Sequence, residues 1–514
     1  MTNLFLELLA MGLSITTELL RLMGLDWSHS ILLRHLKTIP WQRPKTLSDM
    51  PYDVVLVISN YLSVRDLCNL RETSKQLSSL VQDRSIWLLA LRDILEVRPI
   101  PRLSFSLDEM DLDEVMTATL RLTTLDRKIR GVDPITTFRI ARSFDEDLLF
   151  PVPLPGGRYF VILQDSERKL VVHDWDADTL REGRPLVPPS AHPIYLWRAI
   201  PVSSTAINIA VASLEDSKDH VQSLQRTHIS IYHCNADSGT SELIDYFSVD
   251  TKIWTLFIDT THLAILWNHC DHGQFAYIRT YEQGTHTPIM SLKDPKCPQR
   301  GTITIISQGY FITAAGGGVY TRLFTMPAMH PINGTHIADS PVYHPCIWSA
   351  AQGGDYLLNP RITPLLLGHS LSSKTPPPKF AVWAGRHVTI YSLLDGADVR
   401  YDANSQHMCP DLPYYIGEDE RSFMGEISGV HALSDRSLRL FALPVTHTTS
   451  FGLMRLGSAP SADADGFQVT KLNCPDMREH EIIFEMSFDE ESGRLFMIYE
   501  DEKNLKSRIV LAHL

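Results

Sequence analysis

From about residue 133 onward the chain is punctuated by short β-branched and aromatic runs that come in pairs. This pairing restricts its fold more than any other feature. YFVIL (159–163) is followed by KLVVH (169–173), INIAVA (207–212) by HISIYH (228–233), and HLAILW (262–267) by FAYIRTY (275–281). YFITAA (310–315) precedes VYTRLF (319–324), and KFAVW (379–383) precedes HVTIYS (387–392). GVHAL (429–433) precedes LRLFAL (438–443), and RLFMIY (494–499) precedes RIVLAHL (508–514). Gly, Pro, Asp and Ser separate the runs, which is the texture of strands and turns.

The first members of the seven pairs start at 159, 207, 262, 310, 379, 429 and 494, in steps of 48, 55, 48, 69, 50 and 65. Intervals of about 45–50 residues suit a β-propeller with four strands per blade, the longer steps being loop insertions. A β-sandwich or a pair of β domains also shows short strands and frequent turns. The regular interval favours the propeller, with six to eight blades and seven the expected number. The first member of each pair is the more apolar and is expected to be an inner strand. ITTFRIA (135–141) is placed to pair with the final run RIVLAHL, closing the ring and hiding an edge.

A different texture precedes this region. The stretch MPYDVVLVISNYLSVRDLCNLRETSKQLSSLVQDRSIW, from Met50 to Trp87, carries helical rather than strand periodicity. Pro51 suits a first helical turn, where its missing N–H costs nothing. Val54, Val55, Ile58 and Leu62 then form one stripe of a helix. Ser63 and Asp66 make a cap-like start for a second helix, with Asp where the usual box has Glu or Gln. Leu67, Leu70, Leu77 and Leu80 carry the next apolar face, and Trp87 closes the unit. So small a unit holds more apolar side chains than its own core needs, the mark of a docking surface.

This stretch resembles the F-box, whose usual order is Leu-Pro, an acid, two apolar residues, Ile, Leu, Asp-Leu, a basic residue and Trp. Met50-Pro51, Asp53, Val54-Val55, Ile58, Tyr61-Leu62, Asp66-Leu67, Lys75 and Trp87 stand at matching places. Met50 replaces the usual Leu, Thr73-Ser74 stand where Val-Cys is common, and Leu77 takes a position often held by Trp. An ordinary three-helix subdomain is the alternative, and the joint match over the whole stretch favours the F-box.

The resemblance implies that Met50, Pro51, Val54, Val55, Ile58, Leu62, Leu67, Leu70 and Trp87 build or support a surface for a Skp-type adaptor, and through it a cullin. The chain would then be the substrate receptor of an SCF-type ubiquitin ligase. It would act by proximity and supply no catalytic residue. A ligase-independent propeller scaffold is the alternative from another class, and a propeller enzyme or metal protein is a third.

The expected organisation is α+β multidomain. An apolar, helical extension at 1–45 precedes an all-α F-box at 46–92 and a helical linker at 93–132. A large β-propeller-like substrate-binding domain spans 133–514. Within the linker, Ser106 with Glu109 reads as a capping box for a helix over about 107–130 that spaces the F-box from the β-rich region. The first 27 residues are apolar, but only ten lie between Glu7 and Glu18, too few to span a bilayer. No basic run precedes them, so a signal peptide is disfavoured. They read as an amphipathic helix packing on the F-box or the large domain. A weak membrane-surface anchor and an extension from a misassigned start remain as alternatives.

The net charge of −13 and the lack of basic runs argue against nucleic-acid binding. They favour a basic protein substrate. Seven scattered cysteines, with no close pair, fit a reducing cytosolic or nuclear setting rather than a disulfide framework. No G-x-S-x-G, phosphate loop, H-E-x-x-H or CxxC pair occurs. Gly316–Gly318 reads as a hairpin turn. His269-Cys270-Asp271-His272 reads as a polar hairpin loop rather than a metal site, since four ligands of workable geometry are missing even with His344 and Cys346. No cofactor is expected. Trp175, Trp254, Trp267 and Trp383 fit blade core and contact surface equally.

Overall fold

The structure is a computed structural model. It describes residues 52–97, 103–129, 139–145, 148–164, 169–177, 183–190, 192–215, 225–269, 273–292, 301–307, 309–315, 320–332, 334, 336–337, 340–351, the strands between 361 and 473, 477–478, 480–489, 491–501, 503 and 507–513. The apolar extension at 1–45, Met50 and Pro51 lie outside the described residues. The chain divides into two compact units, with Ile86 the last residue of the first and Trp87 the first of the second.

The first unit holds helices α1 (Tyr52–Ser59), α2 (Val64–Thr73) and α3 (Lys75–Val81) and the start of α4 (Arg84–Val97). The run VVLVI at the centre of α1 is β-branched and weak in helix propensity. Burial of Val55 and Ser59 holds it helical instead, and the Ser59 hydroxyl donates back to the Val55 carbonyl at 2.8 Å. The Ser63–Asp66 start of α2 is a complete capping box. The Asp66 N–H donates to the Ser63 hydroxyl, and the Ser63 N–H to the Asp66 carboxylate, both at 3.2 Å.

The Leu67–Leu80 stripe is shared by two helices, not one. Ser74, extended at φ −157° and ψ 156°, ends α2 and caps α3, its hydroxyl accepting the Leu77 N–H at 3.2 Å. A residue that caps one helix while closing another breaks the pattern without disturbing its apolar spacing.

In the second unit, α5 (Leu112–Ile129) starts later than the Ser106–Glu109 pair predicts. Asp111 and Glu114 form the reciprocal box, with N–H to carboxylate distances of 2.8 and 2.9 Å. The Ser106 carbonyl accepts the Glu109 and Met110 N–H groups in a turn that does not continue. Starting at Leu112 aligns Val115, Ala118, Thr119, Leu122 and Leu125 on one buried face.

The β region contains seven sheets among the described residues, antiparallel except for two two-residue parallel pairings in the second and third. The first runs Leu148–Pro153, Tyr159–Gln164, Lys169–Asp174 and Arg184–Pro185. The second runs Ile194–Pro201, Ala206–Glu215, Arg226–Asn235 and Thr240–Val249. The third is built on Thr255–Ile258, His262–His269 and Gly273–Thr280, and the fourth on Gly301–Ser307, Tyr310–Ala315, Tyr320–Thr325 and Trp348–Ala351. The fifth (Arg361–Leu365, Lys379–Ala384, His387–Leu393, Val399–Met408) and sixth (His431–Ala432, Leu438–Ala442, Ser450–Leu456, Phe467–Asn473) repeat the order. The seventh joins Glu481–Asp489, Arg494–Asp501 and Ser507–His513 to Arg139–Asp145 from the start of the region. The expected closing pair is therefore present, with Ile140 opposite Ala512 and Phe144 opposite Ile509.

Two readings of the strand pairs are corrected. In six sheets the pair forms the second and third strands, but GVHAL and LRLFAL supply the first and second of the sixth sheet. Its third strand is Ser450–Leu456, whose Gly452 and Arg455 hide it in the sequence. Counting from second strands at Lys379, Leu438 and Arg494 evens out the last two intervals.

Outside the sixth sheet, the inner strand is the one before the pair. First strands of successive sheets adjoin: Ile194–Pro201 with Thr255–Ile258, that with Gly301–Ser307, that with Arg361–Leu365, and Glu481–Asp489 with Leu148–Pro153. The second strand is the most apolar because it has a hydrogen-bonded neighbour on each edge and another sheet against each face.

That double burial is visible residue by residue. Tyr159, Val161 and Leu163 join Ile207, Ile209 and Val211 in a core between the first and second sheets. Phe160 and Ile162, pointing the other way, meet Phe496, Ile498, Ile509 and Leu511 of the seventh. Ala210 and Ala212 face Leu263, Ile265 and Trp267 of the third sheet, while Ala264 and Leu266 face Phe311 and Phe324 of the fourth. Each strand thus feeds two cores with period two. Every large side chain fully buried this way contributes about 1.5–3 kcal/mol.

The chain between Thr325 and Trp348 makes a detour that the sequence does not announce. His330–Pro331 pairs with Thr285–His286, His336–Ile337 with Ser248–Val249, and Val342–Tyr343 with Met290–Ser291. A connection within the fourth sheet therefore straps the edges of the third and second.

A polar knot closes the seam between the seventh and first sheets. Gly157 (φ +66°) stands against the turn after Asp489, where a Cβ would lie 2.4 Å from the Ser492 hydroxyl. Gly493 (φ +76°) abuts Leu125 of α5. Arg494 donates to the Gly157 carbonyl (2.9 Å) and the Asp176 carboxylate (2.8 Å), with its guanidinium 4.9 Å above the Trp175 ring. Glu491, buried to 1% exposure, accepts from the Ser104 N–H (2.6 Å), the Ser104 hydroxyl and Arg121 (2.9 Å). The linker helix is thereby fastened to the β region.

Asp489 gives this knot a pH signature. Burial pushes its carboxyl up to about 6, Glu491 adding to the effect, against hydrogen bonds from the Ser492 hydroxyl and N–H that pull it down. The folded state then binds a proton more readily than the unfolded chain. This group's stabilisation is complete below about pH 4 and is lost as pH rises through about 6. A displacement of that size amounts to about 3 kcal/mol. Asp489→Asn keeps an acceptor for Ser492 and removes the titration. The difference in denaturant stability between wild type and variant is expected to change by about that amount from pH 4 to 7, and a constant difference would refute the assignment.

Candidate functional site

The first unit exposes apolar side chains that its own packing does not use. On α1, Val57 is 55% exposed and Tyr61, just beyond the helix, 66%. They lie four residues apart, on the side opposite Val55 and Ser59. Tyr52, at the helix start, is 40% exposed. Val54, Ile58, Leu62 and Leu70 are half-buried around this face. Val55, Leu67 and Trp87 are fully enclosed.

The residues predicted for the docking surface therefore sort into two sets. Val54, Ile58, Leu62 and Leu70 are within reach of a partner, whereas Val55 and Leu67 are buried in this unit and Trp87 is buried at the start of the second. Val57 and Tyr61, the most exposed large apolar residues among those described in the unit, are not among those predicted as contacts. Their signal is the unbroken apolar run 54–58: a helix apolar all round has one face too many for a single core.

A small polar lock sets the ends of this face. Asp83 accepts from the Ser85 hydroxyl (2.6 Å) and N–H (2.8 Å) and from the Tyr52 hydroxyl. The Ser85 hydroxyl, then Tyr52, hold its carboxyl below the ordinary carboxylate range. Tyr52, and with it the start of α1, is tied to the turn before α4. Among the described residues of this face no nucleophile stands beside a base.

Elsewhere, His269 ends one strand of a hairpin and Gly273 begins the next, with Cys270, Asp271 and His272 outside the described residues. His344 and Cys346 are engaged with the carbonyls of Thr325 (2.7 Å) and Leu323 (3.5 Å). Among the described residues no group of three or more His, Cys, Asp or Glu is placed to hold a metal ion. Gly316–Gly318 lie outside the described residues, between strands that pair as a hairpin. Among the described residues no helix is long and apolar enough to cross a membrane.

Comparison with known proteins adds three findings. Residues 47–89 match the model of the F-box domain. No curated protein matches the chain. The solved structures that resemble it include KlHsv2 with loop 6CD replaced by a Gly-Ser linker, at 11% identity, covering 64% of this chain and 86% of that one, with a TM-score of 0.36. Hsv2 of Kluyvelomyces marxianus also resembles it, at 11% identity, covering 63% and 82%, with a TM-score of 0.31.

Proposed function

We propose that this chain is the substrate-recognition subunit of an SCF-type (cullin-RING) ubiquitin ligase. Its F-box docks on a Skp-type adaptor, the adaptor joins a cullin, and the β region holds a protein substrate. The seven sheets act as the seven blades of a closed propeller, a rigid platform for that substrate. The observation that carries the proposal is the uncovered apolar face of α1 inside the segment that matches the F-box. Val57, Tyr61, Ile58, Leu62, Leu70 and Val54 make the contact, with Met50 and Pro51 leading into it. Val55 and Leu67 hold it from beneath. The chain contributes proximity: a substrate lysine held near a charged thioester gains effective concentration.

The test is capture of a purified Skp-type adaptor by the full chain, beside Val57→Asp/Tyr61→Asp. Both side chains are exposed, so the variant is expected to fold. Each buried apolar contact at an interface centre is worth about 2 kcal/mol or more, so affinity is expected to fall more than about 30-fold. Binding unchanged by the double substitution, or no binding by folded wild type, would refute the reading.

A further inference from the structure

We propose that the β region contacts its partner at the end of the ring remote from Glu491, through Tyr195, Lys252 and Trp254 at the step from the second sheet to the third, which take an acidic peptide segment with an adjoining apolar side chain. The proposal rests on the receptor reading above and assigns the site that reading leaves blank.

The two ends of the ring are distinguished by register. Gly157, the Asp237 turn, Asp259 and the Asp489–Arg494 turn share one end. Tyr159 donates to Asp237 (2.6 Å), Arg494 to Gly157, and Tyr281 to the Asp259 carbonyl (2.6 Å). Ser104, Arg121 and Leu125 occupy that end at the seam. Ile194 opposite Ser213, Glu215 opposite Arg226, and Thr227 opposite Val249 place the other end of the second sheet.

At that other end the surface turns aromatic. His192 stacks on His228 (5.0 Å, 6°), and His228 on Tyr246 (6.1 Å, 12°). The Tyr246 hydroxyl lies 2.7 Å from His228 Nδ1, and Tyr246 is 39% exposed. Where the chain leaves the second sheet for the third, Trp254 is 38% exposed, in contrast to the buried Trp175 and Trp267. The Tyr195 hydroxyl is fixed by Thr227 (3.1 Å) and the Ile253 N–H (3.2 Å), so its ring cannot fold away.

Charge selects the occupant. Asp250 is answered by Arg226 at 2.8 Å, and Glu215 meets His228 at 3.2 Å. Lys252 is different. Its ammonium lies over the rings of Tyr195 (5.6 Å) and Trp254 (5.8 Å), and among the described residues no carboxylate pairs with it. A carboxylate arriving there meets a cation already held in place, and the flanking rings cover an apolar neighbour. The local preference thus opposes the basic substrate that the net charge suggests. Net charge governs long-range approach, whereas a contact is decided within a Debye length.

The experiment is selection of a displayed library of random ten-residue peptides on the full chain, with binding of an enriched synthetic peptide then read by fluorescence anisotropy. Enriched sequences are expected to carry Asp or Glu within two positions of an aromatic or aliphatic residue. Trp254→Ala and Lys252→Glu are each expected to weaken binding at least tenfold with unchanged thermal unfolding. A peptide with its acid changed to Lys is expected to prefer Lys252→Glu. Failure to enrich, enrichment without acids, or binding indifferent to both variants would overturn the proposal. Adaptor capture measured on the same preparation separates this result from the receptor reading: loss of capture with peptide binding intact sinks only the latter.

Discussion

Glu491→Ala is expected to release the helical segment 103–129 from the β region while leaving the sheets folded. One buried carboxylate serves the Ser104 N–H, the Ser104 hydroxyl and Arg121 at once. Removing it strands the half-buried Ser104 donors, at about 1–3 kcal/mol. Arg121 is 39% exposed and regains water, so its share is small and screened. The sum, with the void left behind, is about 2–4 kcal/mol. It falls on a local contact, so hydrogen exchange over α5 is expected to accelerate roughly 30- to several-hundred-fold while the second and third sheets keep their protection. Glu491→Gln preserves shape and an acceptor and is expected to cost about half as much. Uniform loss of protection across all sheets would show that the knot supports the whole β region, and unchanged exchange over α5 would show that it supports nothing.

The legible and illegible parts of this chain divide along physical lines. Strands buried on both faces, such as Tyr159–Gln164, leave continuous apolar runs, and these are readable. Inner and outer strands are half solvated, so their patterns are diluted. This is why the sequence places the inner position one strand too late, and why Ser450–Leu456 does not stand out in it. The strap between Thr325 and Trp348 pairs through two-residue bridges amid Pro and Gly, too short to show any period. The Asp111–Glu114 start of α5 is visible as a motif, but Ser106–Glu109 has the same spacing, and only the buried face beginning at Val115 decides between them. In the F-box, apolar type marks the region, yet Val55 and Val57 are the same amino acid with opposite fates. Which one packs inward depends on partners supplied by the other helices, and no local pattern encodes that.

Breaking the Arg508–Glu481 pair is expected to have the largest single effect on the β region. The pair is bidentate, at 2.8 and 2.6 Å, with its side chains 3% and 5% exposed. Glu481 opens the first strand of the seventh sheet. Arg508 lies in the third, beside the closing strand at Asp145, so the pair bridges over the strand between. The guanidinium also covers the Tyr499 ring at 5.2 Å, and the Arg478 N–H donates to Glu481 at 2.7 Å. Glu481→Ala takes away the carboxylate that meets the buried Arg508 guanidinium twice, at about 3–5 kcal/mol, a large share of the stability of any domain. Arg508→Met leaves the carboxylate with the Arg478 N–H still donating, and is expected to cost less. The double variant Glu481→Leu/Arg508→Met removes both charges and is expected to recover most of the loss, because the desolvation of each ion disappears with it. Denaturant midpoints of the four proteins close the cycle. A coupling above about 2 kcal/mol is expected, and additive losses would mean that the two groups act independently and that the seam is held by its apolar core alone.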